Sequence, residues 1–472
     1  MRLPVFATLI AVLSAGARVS AYLGPWHDAQ YAYAVNMTAA AVSPPGGSAG
    51  SVQASPSRSQ PDYFYHWVRD GALTVQLLVD LVQDSTTSAT DRARFLQLIN
   101  DNAVFSRKIQ STSVPMDNAK FMMDSSPFTG PWCNPQRDGP ALRATMLVHH
   151  AYYLRSQGKD ISWLYDGKLP TNSVIKTDLE YVSHNWQQDG CDIWEEIRGT
   201  HFYTRLVQYR ALMDGMHLAS DLGDSGASSW YGQQAAEIAR TLTSFFDNNA
   251  KAIVPTINRT GGLDYKTSNI DVQVLLAAIH SAPLSSTLQL YGPDHDMIHA
   301  TTVRVINAFK PLYAVNANYP ALGTAIGRYP EDRYTGYDSN GLGNPWALAT
   351  SAIAEICYRT KYAWKQQLKF AVTALNKPFI DYVAASGGTS SVSFTVGETV
   401  LSTDSRFNVV LNALMSTGEK YMERVKLHTG TPRHMNEQWL RDTGYQTGAP
   451  DLTWSYAAYA TAYRAHRQAA NQ

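Results

Sequence analysis

Apolar residues recur along this chain at spacings of three and four, the repeat of a helix with one face turned inward. Leu73, Leu77 and Leu81 share such a face, Phe95, Leu98 and Ile99 open a second, and Leu142, Met146 and Tyr153 mark a third. Phe202, Leu206, Tyr209, Met213 and Met216 carry the repeat over several turns, as do Ala235, Ile238, Ala239, Leu242 and Phe246. Downstream follow Trp346, Ala349, Ile353 and Ile356, then Trp364, Leu368, Ala371 and Leu375, and last Tyr456, Tyr459 and Tyr463. The pattern predicts roughly a dozen helices. Strict alternation occurs over residues 392–396, VSFTV, where it predicts a local strand after a Gly-Ser loop. A series of helical hairpins builds either an open array or a closed toroid, and periodicity does not choose between them.

Between the periodic segments lie long polar and aromatic loops. Residues 40–61 are rich in Ser, Pro and Gly but run directly into an aromatic cluster, which predicts an ordered arm on the same domain. Arg2, the apolar run 3–15 and the small residues Val19-Ser20-Ala21 read as an export signal cleaved after Ala21. Sequons at Asn36 and Asn258 agree with export. Three cysteines, Cys133, Cys191 and Cys357, allow at most one disulfide and leave one thiol free. Their spacing matches no zinc site, so stability has to come from a large core.

The 472 residues carry 39 basic and 39 acidic side chains. That balance disfavours a nucleic-acid partner, which selects a basic face, and suits a neutral polymer or small neutral molecule. The 27 tyrosines and 11 tryptophans point the same way, because beyond core packing they supply flat apolar faces with polar tips.

Six loop clusters could carry chemistry: residues 62–70 (DYFYHWVRD), 130–139 (GPWCNPQRDG), 191–202 (CDIWEEIRGTHF), 327–332 (GRYPED) with 343–346 (GNPW), 436–438 (NEQ) and 451–456 (DLTWSY). The third places Asp192, Glu195 and Glu196 around Trp194, whose indole could stack on a sugar ring. Glycoside hydrolysis needs one carboxylic acid to protonate the leaving oxygen and one carboxylate to attack or to activate water. Each cluster also has an ordinary reading. Glu195 and Glu196 could be acids in the first turn of a helix, Arg69-Asp70 an ion pair, and Trp132 and Trp346 core. Asp451 could be an N-cap, and Glu437 has no local signature.

Taken together, DYFYHWVRD, PQRDGPALRAT, DIWEE, GRYPED with NPW, and DLTWSYAA resemble the glucoamylase family, glycoside hydrolase family 15, over about residues 31–463. The resemblance implies an all-α (α/α)6 barrel as the catalytic domain from residue 22 to 472, with the site at one mouth. It implies release of β-glucose from non-reducing ends of starch, maltodextrins and maltooligosaccharides, with inversion and with no cofactor or metal. Carried onto this chain, Glu195 becomes the general acid and Glu437 the general base. Arg69, Asp70, Glu196 and Arg328 bind sugar hydroxyls. Tyr63 and Trp67 wall the first subsite, and Trp132 and Trp194 contact substrate, with Tyr334 and Trp346 nearby.

Asp192 competes with Glu437 for the role of base. On a helical turn it would stand at i relative to Glu195 at i+3, about 5–6 Å away, closer than the roughly 6.5–9.5 Å that inversion requires. Asp192 is therefore expected to order the pocket. Two departures from the family pattern adjoin the substrate motifs: Cys191 replaces an aromatic, and Cys133-Asn134 replaces a Gly-Arg pair. The disulfides of some relatives have no counterpart here. With no starch-binding module expected, raw granules should be poorer substrates than dextrins. A secreted monomer with no membrane or nucleic-acid partner is the expected state. Two alternatives are a family 15 enzyme for trehalose or 1,6-α-glucans and a non-catalytic glucan-binding protein.

Overall fold

The structure, a computed structural model, describes residues 23–282, 290–389 and 391–471. The expected export signal at residues 1–21 lies outside them. The helices are α1 (Pro25–Ala40), α2 (Val68–Gln83), α3 (Ala89–Gln110), α4 (Asp138–Ser156), α5 (Val174–Asn185), α6 (Phe202–Asp221), α7 (Ser225–Leu242), α8 (Gln273–His280), α9 (Asp296–Phe309), α10 (Ala314–Asn318), α11 (Ala347–Gln367), α12 (Lys377–Ser386), α13 (Ser405–Thr429) and α14 (Thr453–Ala470). Short strands decorate the loops: β1 (His66–Trp67), β2 (Lys120–Phe121), β3 (Gly190–Cys191), β4 (Ile197–His201), β5 (Phe246–Asp247), β6 (Ala252–Ile253), β7 (Thr256–Gly262), β8 (Lys369–Ala371), β9 (Thr399–Leu401), β10 (Gln438–Trp439) and β11 (Gln446–Thr447).

Six helices close a ring. α2 packs on α4, α4 on α6, α6 on α8, α8 on α11, α11 on α14, and α14 returns to α2. Outside them, α1 covers α14, α3 covers α2, α5 covers α4, α7 covers α6, α9 covers α8 and α13 covers α11. The chain thus alternates outer and inner helices in an (α/α)6 barrel, and the α14–α2 contact decides for the toroid.

The two rings differ in how they meet the core. Inner helices are buried around most of their circumference: every residue of α8 from Gln273 to Ile279 is buried, as is α4 from Asp138 to Val148. The outer α3 and α7 bury one face each. All-round burial brings polar groups inside, where they need partners; Arg143 on α4 meets Asp178 on α5 through two hydrogen bonds of 2.8 and 2.6 Å. Side-chain N-caps also sort by ring. Ser88, Asp224, His295 and Asp404 cap the outer α3, α7, α9 and α13. None of the six inner helices has one.

Several local expectations are corrected. The helix containing Trp364 ends at Gln367, with Leu368 left-handed at φ 56°, and Ala371 lies in β8. α7 stops at Leu242, and Phe246 belongs to β5. Residues 392–396 form no strand; β8 pairs instead with β9, and Phe394 packs its ring on Phe370. The apolar side chains there serve packing without a ladder. Asp451 is not an N-cap, since Leu452 precedes α14. Its carboxylate binds His434 at 2.6 Å and the Tyr456 hydroxyl. The arm at 40–61 is ordered as expected: Val42 bridges to Val52, and Ala54 O accepts the N–H of Thr453.

Cys133 and Cys191 form a disulfide, and Cys357 is a free, buried thiol on α11. Both sequon asparagines are exposed, Asn36 on α1 and Asn258 on β7. Among the described residues, no helix is long and apolar enough to cross a membrane.

Candidate active site

The sequence clusters converge where the inner helices begin. Arg69 and Asp70 sit in the first turn of α2, and Gln136 and Asp138 at the start of α4. The β3–β4 hairpin leads into α6, Lys266 and Asp271 precede α8, and Arg328, Asp332 and Trp346 precede α11. Glu437 adjoins β10, and Trp454 begins α14. Helix N-termini present positive dipole ends, a favourable setting for carboxylates.

The acidic cluster is not a helical turn. β3 and β4 pair antiparallel, Gly190 with Gly199 and Cys191 with Arg198, and residues 192–196 are the reversal between them. Asp192 is fully buried inside it. Its Oδ1 accepts the N–H groups of Glu196 (2.8 Å) and Ile197 (3.0 Å), and Oδ2 faces Lys266 at 3.5 Å. Burial alone would raise this carboxyl, but Lys266, His201 and the two N–H groups outweigh it and hold Asp192 below the ordinary aspartate range. Asp192 is thus the strut of the turn: its backbone carbonyl also accepts the Glu195 N–H at 3.0 Å, an i, i+3 bond of a tight turn and not of a helix. The turn puts Glu195 at φ 67°, a conformation that costs a non-glycine residue energy and that the strut sustains.

Three side chains converge on one oxygen of Glu195. Trp67 Nε1 donates to Oε1 at 2.7 Å, Gln136 Nε2 donates at 2.8 Å, and an Arg69 amino group lies 3.7 Å away. Among the described residues no partner reaches Oε2, and the side chain is 17 % exposed. Glu196 is held on both oxygens, by Arg328 (2.8 Å) and by the Tyr329 hydroxyl (2.6 Å). Burial raises its carboxyl, with Arg328 pulling the other way. Arg328 also forms a fork to Asp332, with bonds of 2.8 and 2.6 Å. Arg69 donates to Gln136 (2.9 Å) and Asp138 (3.1 Å) and flanks Asp70 at 3.5 Å. Burial pushes the Asp70 carboxyl up to about 6, against the pull of Arg69.

Glu437 is 1 % exposed, with its backbone N–H bonded to Ala449 O at 2.9 Å. Burial pushes its carboxyl up to about 8, although the Tyr63 hydroxyl, Arg328 and the Ala449 N–H draw it down. Gly448 makes room for it: a Cβ there would stand 2.5 Å from Glu437 Oε2, on a backbone of φ 73°. The hydroxyls of Tyr63 and Tyr334 share a 2.7 Å bond, and the Tyr63 ring abuts Trp67 at 5.6 Å. Tyr63 therefore touches the environments of both Glu195 and Glu437.

The tryptophans divide. Trp194 is 7 % exposed, its N–H bonds Asp271 at 3.0 Å, and its ring packs near Trp346 and Trp454. It braces the floor of the cluster through these contacts. Trp132 is the accessible indole, 38 % exposed. Lys120 lies 3.3 Å from the Trp132 ring centre and within 4.4 Å of those of Tyr65, Trp67 and Phe128. Burial lowers its ammonium to about 8.

Sequence reasoning passed over Lys120, Lys266 and Asp271, which lie in unremarkable contexts, and gave no role to Gln136 or Asp332, although both stand inside quoted motifs. Among the described residues, no cluster of three or more His, Cys, Asp or Glu could hold a metal ion.

With this geometry in hand, known proteins are informative. The profile of glycosyl hydrolases family 15 matches residues 27–464. The chain belongs to that family. Glucoamylase 1 of Rhizopus oryzae is 36 % identical over 425 residues, covering 89 % of this chain and 67 % of its own. The glucoamylase of Blastobotrys adeninivorans is 34 % identical, covering 96 % and 73 %. The solved glucoamylase of Saccharomycopsis fibuligera superposes with a TM-score of 0.84 at 28 % identity, over 95 % of this chain and 96 % of that one. That of Hypocrea jecorina gives 0.82 at 30 %, over 94 % and 72 %. This family 15 chain is a starch-degrading glycoside hydrolase of the glucan 1,4-α-glucosidase class.

Proposed function

We propose that this enzyme is exo-acting and inverting, releasing β-glucose from the non-reducing ends of maltodextrins and starch. The observation that carries the reading is the asymmetric holding of Glu195: its protein partners crowd Oε1 and leave Oε2 for substrate. In the reaction, Glu195 Oε2 gives its proton to the glycosidic oxygen as the bond to the anomeric carbon breaks. Glu437 takes a proton from the water that attacks that carbon from the opposite face. Arg69, Asp70, Glu196 and Arg328 hold hydroxyls of the terminal glucose, which the buried ion pairs around them pre-position. Tyr63 and Trp67 wall the first subsite, and Trp132 meets the next sugar. Asp192 supports the turn and transfers no proton.

The apolar run and small residues at 3–21 support secretion, and the charge balance supports a neutral substrate. The deciding experiment follows the anomer released from maltoheptaose by proton NMR. Initial β-glucose is expected. Initial α-glucose would overturn inversion, and shortened oligosaccharides in place of glucose would overturn exo-action. Relative rates on maltose, isomaltose and trehalose fix the linkage.

A further inference from the structure

The two cysteines that depart from the family pattern are bonded to each other, across 58 residues of sequence. Cys133 follows the exposed Trp132. Cys191 ends β3 and precedes Asp192, the strut of the carboxylate turn. The crosslink therefore ties the accessible indole of the site to the hairpin carrying Glu195. We propose that Cys133–Cys191 is a positioning crosslink that sets Trp132 and Glu195 at a fixed separation for binding a glucan, which makes turnover sensitive to thiol reductants. The proposal rests on the roles given above to Trp132 and Glu195.

Two features of the loop support it. Residues 134–137 are tied to the hairpin without the disulfide: Asn134 O accepts from Arg198 (2.9 Å), Pro135 O from the Cys191 N–H (2.8 Å), and Arg137 donates to Asp189 O (2.9 Å). The stretch just before them is not. The bridge between Phe121 and Pro127 ends the paired backbone, and among the described residues that of 129–132 makes no hydrogen bond; Trp132 is held by ring contacts with Trp67, Phe128 and Lys120. The disulfide is then the covalent anchor at the edge of the loose stretch.

The second feature links the anchor to the acid. Gln136 Nε2 donates to Cys133 O at 3.1 Å and to Glu195 Oε1 at 2.8 Å. One amide thus spans the crosslinked residue and the candidate acid, so a shift of Cys133 would reach Glu195 through a single side chain. Cys191 is buried while Cys133 is part exposed, so a thiol reaches the bond from the Cys133 side. Reduction by dithiothreitol adds two electrons and two protons, giving two cysteine thiols and the cyclic disulfide of the reagent.

The test compares wild type, Trp132→Ala, the double variant Cys133→Ser/Cys191→Ser and the triple variant on maltoheptaose. The double variant is expected to keep its circular-dichroism spectrum and lose about 10-fold or more in kcat/KM, the scale of a small misplacement of reacting groups. Trp132→Ala should cost much less in that background than in wild type, because the indole is already unfixed. Equal losses in both backgrounds, or a double variant within about 2-fold of wild type, would overturn the proposal. If the double variant does not fold, native enzyme treated with dithiothreitol gives the answer. Iodoacetamide labelling of Cys133 and Cys191 should track the loss of activity, and reoxidation should restore it. Labelling of both cysteines at unchanged activity would overturn it. A wild type that releases no glucose from maltoheptaose would overturn the functional reading and this one with it.

Discussion

Trp67 donates its indole N–H to Glu195 Oε1 at 2.7 Å, joining the head of α2 to a hairpin 128 residues away. The residue proposed as a subsite wall is thereby also a support of the candidate acid, so removing the N–H and removing the ring are different experiments. Trp67→Phe keeps most of the apolar wall and deletes the bond. Hydrogen bonds to charged groups contribute about 1.5–3 kcal/mol, so kcat/KM on maltoheptaose should fall by about 10- to 100-fold. A fall within about 2-fold would show that the bond does not matter to turnover.

Glu195→Gln and Glu437→Gln should each lower kcat on maltoheptaose by orders of magnitude and leave the circular-dichroism spectrum unchanged. An active Glu195→Gln enzyme would remove that residue from the chemistry.

Glu437 also makes a stability prediction. Its carboxyl lies at about 8 in the folded chain against about 4.3 in an unfolded one. Between these values the folded state holds the extra proton, so stability from this group is present at low pH and lost as pH rises toward 8. Glu437→Gln removes the titration. Its melting temperature should exceed that of wild type near pH 8, and the gap should close toward pH 4.

The same group sets a pH–rate prediction. The Tyr63 hydroxyl draws the Glu437 carboxyl down, so Tyr63→Phe should move the acid limb of the kcat/KM profile to higher pH. In wild type that limb should lie above the ordinary glutamate range, because burial raises the Glu437 carboxyl. An acid limb unchanged in Tyr63→Phe would show that Glu437 is not the group it reports.

Asp192 separates support from chemistry. Asp192→Asn keeps an oxygen for the Glu196 and Ile197 N–H groups but leaves Lys266 without that charge. Breaking a buried pair costs about 3–5 kcal/mol, softened here because Lys266 also meets Asp271 at 2.5 Å. The melting temperature should drop while kcat stays well above that of Glu195→Gln. The native Asp192 carboxyl sits below its ordinary range, so its stabilisation is present above pH 4 and lost as pH falls, and the variant should show a flatter acid limb of stability. A folded Asp192→Asn enzyme as inactive as Glu195→Gln would return Asp192 to the chemistry.

The sequence by itself marked many of the helices, through apolar spacings such as Phe202, Leu206, Tyr209 and Met213 on α6, although all-round burial there hides which face turns inward. It also determined that Glu195, Arg69 and Arg328 belong together, through motifs too long to share by chance. It misplaced Leu368 and Asp451, where the next residue bonds a segment that local propensity does not reach, Lys369 to Leu401 and Leu452 to Met435, and Phe246, where a short hairpin with Ile253 ends the helical repeat. What only the tertiary structure decided are relationships between distant segments. The contact of α14 with α2 closes the ring, and a hairpin in place of a helical turn makes Asp192 a strut. Lys120 meets an aromatic cage drawn from two segments, 65–67 and 128–132, and Cys133 finds Cys191. Each of these depends on distances between atoms that the order of residues does not encode.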